Sequence, residues 1–227
     1  MQVEEIVNRL KSQSSRENAE GMAKFGIQGN KILGIRIPTL RRMAKKIGKN
    51  HSLALNLWDT AIHEVRILAT LVDIPSEVTE EQMETWVSDF DSWDLCDQCC
   101  NNLFNKTNYA YQKAEEWSNR EEEFVKRAGF VLMAILAVHD KKADNHPFLS
   151  FLQMVKRESS DTRNFVKKGV NWALRQIGKR NLFLHKAALS IAYEINDYHY
   201  KSAKWVASDA IKDLTQTALL KRLSAKE

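Results

Sequence analysis

In the stretch Asp89-Phe90-Asp91-Ser92-Trp93-Asp94-Leu95-Cys96-Asp97-Gln98-Cys99-Cys100-Asn101-Asn102-Leu103-Phe104, one aromatic ring and one carboxylate fall at a spacing that suits chemistry. Read as a helix from about Trp93 onward, Trp93 and Asp97 are four residues apart and stack on one face. Cys96, Cys99, Cys100 and Leu103 follow the i, i+3, i+4, i+7 rule and form a second, apolar face. Burying that face turns Trp93 and Asp97 toward a groove or solvent. A flat indole beside a carboxylate suits a cationic or oxocarbenium-like species. A surface tryptophan packed on a neighbouring helix, with Asp97 an ordinary solvated acid, accounts for the same spacing.

Two further clusters carry positive charge. Trp172 has Lys168 one turn before it and Arg175 and Lys179 one and two turns beyond, all on its own helical face. An aromatic among three cations reads as a ring flanked by phosphate-binding groups. In the segment Leu33-Gly34-Ile35-Arg36-Ile37-Pro38-Thr39-Leu40-Arg41-Arg42-Met43-Ala44-Lys45-Lys46, a loop closes on a helix that begins near Pro38. The helix N-terminus is a ready anion site, with Arg36 and Arg41 beside it and Arg42 and Lys45 following. The same residues also fit a basic amphipathic helix whose Leu40, Met43, Ala44 and Ile47 face a core.

Helices must position these groups. The 227 residues hold only three prolines and eight glycines, and Pro38, Pro75 and Pro147 all fall between periodic segments. With no sustained apolar/polar alternation, the pattern predicts an all-α chain. The expected helices are 2–11, 14–24, 38–48, 51–60, 63–73, 79–88, 93–105, 108–118, 121–139, 145–157, 161–178, 182–195, 199–211 and 213–224. Thr79 and Ser160-Asp161 read as N-terminal caps, and Pro38-Thr39 as a first turn. Val65-Arg66, Val125-Lys126-Arg127-Ala128 and Val166-Lys167-Lys168-Gly169 share a valine followed by basic positions, with Ala203-Lys204-Trp205 a weaker copy. A recurrence every 30–40 residues or so fits HEAT-like or armadillo-type helix pairs stacked into one α-α superhelix over 1–227. The second helix of each pair would line a concave basic groove, with Lys126, Arg127, Lys168, Arg175 and Lys179 along it.

Composition excludes several classes. No apolar run approaches the roughly 20 residues of a membrane span. The acidic start Met1-Gln2-Val3-Glu4-Glu5 lacks signal-peptide character, so a cytoplasmic address is expected. The three cysteines lie within five residues, too close for a disulfide framework, and read as buried thiols. Net charge is +5 with a pI near 9.0, which permits a polyanionic partner. No phosphate-cradling Gly-rich motif, H-E-x-x-H or G-x-S-x-G occurs. The six scattered histidines are expected to be caps and surface residues.

Taken in order, Leu33-Gly34-Ile35-Arg36-x-Pro38-x-x-Arg41, Ser92-Trp93-Asp94-x-x-Asp97, Lys126-Arg127-Ala128 and Asn171-Trp172-Ala173-Leu174-Arg175 resemble the AlkD-like DNA alkylation repair family of HEAT-like repeat glycosylases. The match runs from about Met22 to about Leu214. The resemblance implies a monomeric enzyme that releases cationic N3- or N7-alkylated purines from double-stranded DNA without flipping the base. It implies Asp97 as the essential carboxylate, Trp93 and Trp172 as sugar-phosphate contacts, and Arg127 as a DNA clamp, with no metal or organic cofactor. Three features depart from the family pattern, one of them the adjacent Cys99-Cys100. Phe25 stands where catalytic members tend to carry tyrosine, and Ser92-Trp93 replaces a common pair of tryptophans. Two other readings keep the same scaffold: a non-catalytic module that binds DNA through phosphates, and a protein-binding scaffold.

Overall fold

A computed structural model describes residues 2–27 and 31–225. Among these residues there are fourteen α-helices and no strand. The contacts divide the chain into two compact units, Met1–Asn108 and Tyr109–Glu227. No helix among the described residues is long and apolar enough to cross a membrane.

The first unit holds α1 (Val3–Lys11), α2 (Arg16–Ala23), α3 (Ile37–Ile47), α4 (His51–Trp58), α5 (His63–Val72), α6 (Glu80–Ser88) and α7 (Trp93–Asn102). Helix α4 pairs with α5, and α3, α5 and α7 pack side by side in turn. Helix starts follow local chemistry. Asn50, Thr79 and Ser92 cap α4, α6 and α7 by accepting from the amide three residues on. Proline in the first turn opens α3, as its sequence predicts. The core between pairs is aromatic. Trp58 and Trp86 stack with centroids 4.0 Å apart and planes 4° apart, beside Phe90 and Phe104. Such a stacked pair adds about 1 kcal/mol beyond the area it buries.

The second unit holds α8 (Ala110–Ser118), α9 (Glu123–His139), α10 (His146–Glu158), α11 (Asn164–Gly178), α12 (Leu182–Asn196), α13 (Lys201–Leu214) and α14 (Thr217–Ser224). Here the layering of helix pairs is plain. Helices α8, α10 and α12 neighbour one another in turn, and α9, α11 and α13 do the same in a second layer. Helix α9 is apolar nearly all round, and Val125 to Ala137 are all buried. Gly129 permits its closest approach: a Cβ there would lie 2.5 Å from the Ser118 amide nitrogen on α8.

The recurring valine-plus-basic starts have a structural role at two places. Arg66, near the start of α5, reaches the end of α6, with Nη2 2.9 Å from Asp89 Oδ2. Lys126, near the start of α9, reaches the end of α10, with Nζ 2.8 Å from Glu158 Oε2. Each staples one helix pair to the first helix of the next. Other expectations need correction. Helix α11 begins at Asn164 with Arg163 at its cap, so Ser160-Asp161 is not the cap. Asp161 instead accepts the Arg163 amide at 2.9 Å and pairs with its guanidinium. Helix α7 stops at Asn102, because Leu103 leaves helical geometry (φ −129°, ψ −63°) before a 3-10 turn at Phe104–Lys106. Two histidines are not surface residues. His63 and His185 are buried, the second with Nδ1 3.0 Å from the Gly178 carbonyl.

Candidate functional site

Helix α7 buries the apolar face its sequence predicts. Cys96, Cys99, Cys100 and Leu103 are wholly buried, whereas Trp93 and Asp97 are half-buried one turn apart at the margin of that face. Burial raises the Cys99 thiol well above its ordinary range, helped by Cys96 and Asp73, so this sulfur stays protonated and unreactive. All three cysteines are free thiols.

Trp93 does not stand alone. Its indole Nε1–H donates to the Phe25 carbonyl at 2.9 Å, which ties α7 to the chain just after α2. Together they wall a cleft of about 650 Å³ in the first unit, lined also by Met22, Ile35, Pro38, His63 and Asp94. The Phe25 ring is 73% exposed at this wall. Asp94 lines the cleft with Glu17 and Glu64, whereas Asp97 does not, and Asp94 Oδ2 lies 3.2 Å from His63 Nε2. Ring, carboxylate and imidazole therefore meet at the first turns of α5 and α7.

The loop before α3 is organised by an internal anion. The amides of Leu33, Gly34 and Ile35 donate to the Glu64 carboxylate at 2.9, 2.7 and 3.2 Å. Glu64 is fully buried on α5, and these charge-assisted bonds compensate its desolvation. Gly34 is needed there: its φ is +74°, and a Cβ would sit 2.1 Å from the Ser15 carbonyl oxygen. Glu64 thus satisfies the loop amides from within, and none of these bonds reaches the N-terminus of α3 at Ile37 and Pro38. Glu64 is legible in hindsight, as an acid on the apolar face shared with Ile67 and Leu68.

The cations separate into two groups. Arg36, Arg41, Arg42 and Lys45 are exposed along α3, and among the described residues none of them is in an ion pair. In the second unit most are neutralised. Lys126 is 6% exposed and held by Glu158. Arg175 lies 3.7 Å from Asp209 and 3.4 Å from Asp213, and Lys179 pairs with Asp213. Arg127 is buried as well, and its Nη1 donates to the Phe165 carbonyl at 2.6 Å, linking α9 to α11. The expected open row of cations therefore does not hold at Lys126, Arg127, Arg175 and Lys179. Lys168 is exposed, one turn before the half-buried Trp172.

An all-α chain of layered helix pairs, with an aromatic-acid cleft and an open basic helix, defines a HEAT-like repeat protein. A family model described as DNA alkylation repair enzyme matches residues 6–214, and the chain belongs to that family. It is 24% identical over 177 residues to an uncharacterized Listeria innocua protein, Lin0241, covering 76% of each chain. It is 23% identical over 172 residues to the uncharacterized Lmo0209 of Listeria monocytogenes, covering 74% of each. Its fold matches a solved structure with a TM-score of 0.78 at 19% identity, covering 93% of this chain and 95% of the other. That protein is described as one of "a new family of proteins related to the HEAT-like repeat DNA glycosylases with affinity for branched DNA structures".

Proposed function

We propose that this chain is a monomeric DNA repair glycosylase. It hydrolyses the N-glycosidic bond of cationic N3- or N7-alkylated purines in duplex DNA without flipping the base. The observation that supports this most is α7, whose cysteines are buried while Trp93 and Asp97, one turn apart, are only partly buried.

The chemistry fits a single carboxylate. An alkylated purine is already positively charged, so it leaves with the electron pair of the C1′–N bond and becomes neutral, with little need of a general acid. Positive charge then develops on the deoxyribose. The Asp97 carboxylate stabilises it, orients a water toward C1′, and takes the proton that the water loses. An indole face adds cation–π attraction that grows toward the transition state, a role for Trp93 and Trp172. No step calls for a metal or organic cofactor. Arg36, Arg41, Arg42, Lys45 and Lys168 are the DNA-backbone contacts of this reading, since their charges remain open. Arg127, Lys126, Arg175 and Lys179 act chiefly by holding helices in place.

The test is release of free 7-methylguanine and 3-methyladenine from methylated duplex DNA. Wild type is expected to release both, and Asp97→Asn to bind DNA normally and release neither. Normal release by Asp97→Asn would sink the mechanism. A second reading, non-catalytic binding of DNA through its phosphates, is favoured by the solved fold relative described as having affinity for branched DNA. Under it, neither protein releases base, and binding is salt-sensitive and indifferent to the lesion.

A further inference from the structure

Helix α3 carries its cations in two stripes. Arg41 and Lys45 form one, and Arg42 and Lys46, one position on, form the other. The second stripe faces α1. There Arg9, Gln13, Thr39, Arg42 and Lys46 surround a pocket of about 210 Å³ with Met43 at its floor.

We propose that this pocket binds one phosphate group, and that its occupant is a backbone phosphodiester of the bound DNA; the choice of DNA as the source rests on the function proposed above. Four observations carry the site. Its charged side chains are all cations, and among the described residues none of Arg9, Arg42 and Lys46 is in an ion pair. Arg42 and Lys46 repel each other at i, i+4, an arrangement that an external anion relieves. The Arg42 guanidinium is already oriented, because Nη2 donates to Thr39 Oγ1 at 3.1 Å, leaving its other N–H groups for a ligand. The buried Met43 provides a low-dielectric floor, which strengthens attraction to an anion above it. Two guanidiniums, an ammonium and a carboxamide offer more donors than one carboxylate can accept, and suit the oxygens of a phosphate. The pocket lies between α1 and α3 and shares no lining residue with the aromatic-acid cleft. It thus adds a backbone contact away from the reacting sugar.

The test is the dependence of duplex-DNA affinity on salt for the full chain, comparing wild type, Arg42→Gln, the double variant Arg9→Gln/Lys46→Gln, and Lys201→Gln as a control on the second unit. All four side chains are exposed on helices, and thermal melts confirm folding. Each phosphate contact contributes about 0.9 to the slope of log K against log salt. Arg42→Gln and the double variant are each expected to lower the slope by about 1, and Lys201→Gln to leave it unchanged. DNA binding with an unchanged slope in both pocket variants overturns the site and leaves the proposed function standing. If wild type binds no DNA, stabilisation by inorganic phosphate separates the two ideas. Stabilisation that Arg42→Gln removes keeps the phosphate site and rejects DNA as its source, and no stabilisation overturns both.

Discussion

Helix α3 of the first unit and helices α9 and α11 of the second put their basic residues to opposite ends. In the first, Arg36, Arg41, Arg42 and Lys45 stand exposed on α3 with no ion pair among the described residues. In the second, Lys126 is balanced by Glu158 of α10, and Arg175 and Lys179 by Asp209 and Asp213 of α13. An open cation at a surface contributes little to stability and much to the field that a polyanion meets. A buried paired cation does the reverse, since removing its partner strands a charge. Position relative to an acid, rather than basic composition, therefore separates a binding surface from a staple.

Substitutions can break this contrast. The largest effect is expected from Glu158→Gln, which leaves Lys126 buried without its counter-charge. A loss of about 3 kcal/mol is expected in chemical denaturation. Arg41→Gln should change stability by less than about 0.5 kcal/mol in the same experiment. Equal losses in both would erase the distinction. Gly129→Ala tests the packing that surrounds Lys126. Its Cβ would press on the Ser118 amide and the Ala114 carbonyl of α8, so a loss of about 2 kcal/mol is expected.

Acid should weaken the second unit through the same staples. Burial alone would raise the Glu158 carboxyl, but bonds from Lys126 and Arg157 more than reverse this and hold it below its ordinary value. Asp161 is likewise lowered, with the Arg163 bonds outweighing burial. A carboxyl whose folded pKa is depressed stabilises the fold above its unfolded pKa, roughly 4, and loses that contribution as pH falls through the folded value. Thermal stability should therefore drop below about pH 4, and Glu158→Gln should flatten part of that drop. A Glu158→Gln profile parallel to wild type would show that this carboxyl is not the source.

The helices themselves were legible because their signals are local. Proline at the start of α3, Thr79 as a cap, and the cysteine face of α7 each involve residues within a turn or two. Partner choice was not legible, because it joins residues far apart in sequence. Glu64 meets Leu33 across 31 positions, Lys126 meets Glu158 across 32, and Arg175 meets Asp213 across 38. A periodic basic motif therefore looked like an open row of phosphate contacts, although at Arg66 and Lys126 it joins helix pairs. The Trp93–Asp97 spacing was read from the sequence, but the α7 carboxylate that lines the cleft beside Trp93 is Asp94, held by His63. Nothing in the spacing alone announced that contact.

The account stands or falls on which cations hold DNA. The most direct measurement is the salt dependence of duplex-DNA affinity for Arg41→Gln/Lys45→Gln beside Arg175→Gln/Lys179→Gln. The first pair is expected to lower the slope of log K against log salt by about 2, one phosphate contact for each residue, with the second close to wild type. A full slope loss in the second pair, with the first unchanged, would contradict the assignment of the DNA-binding surface to α3.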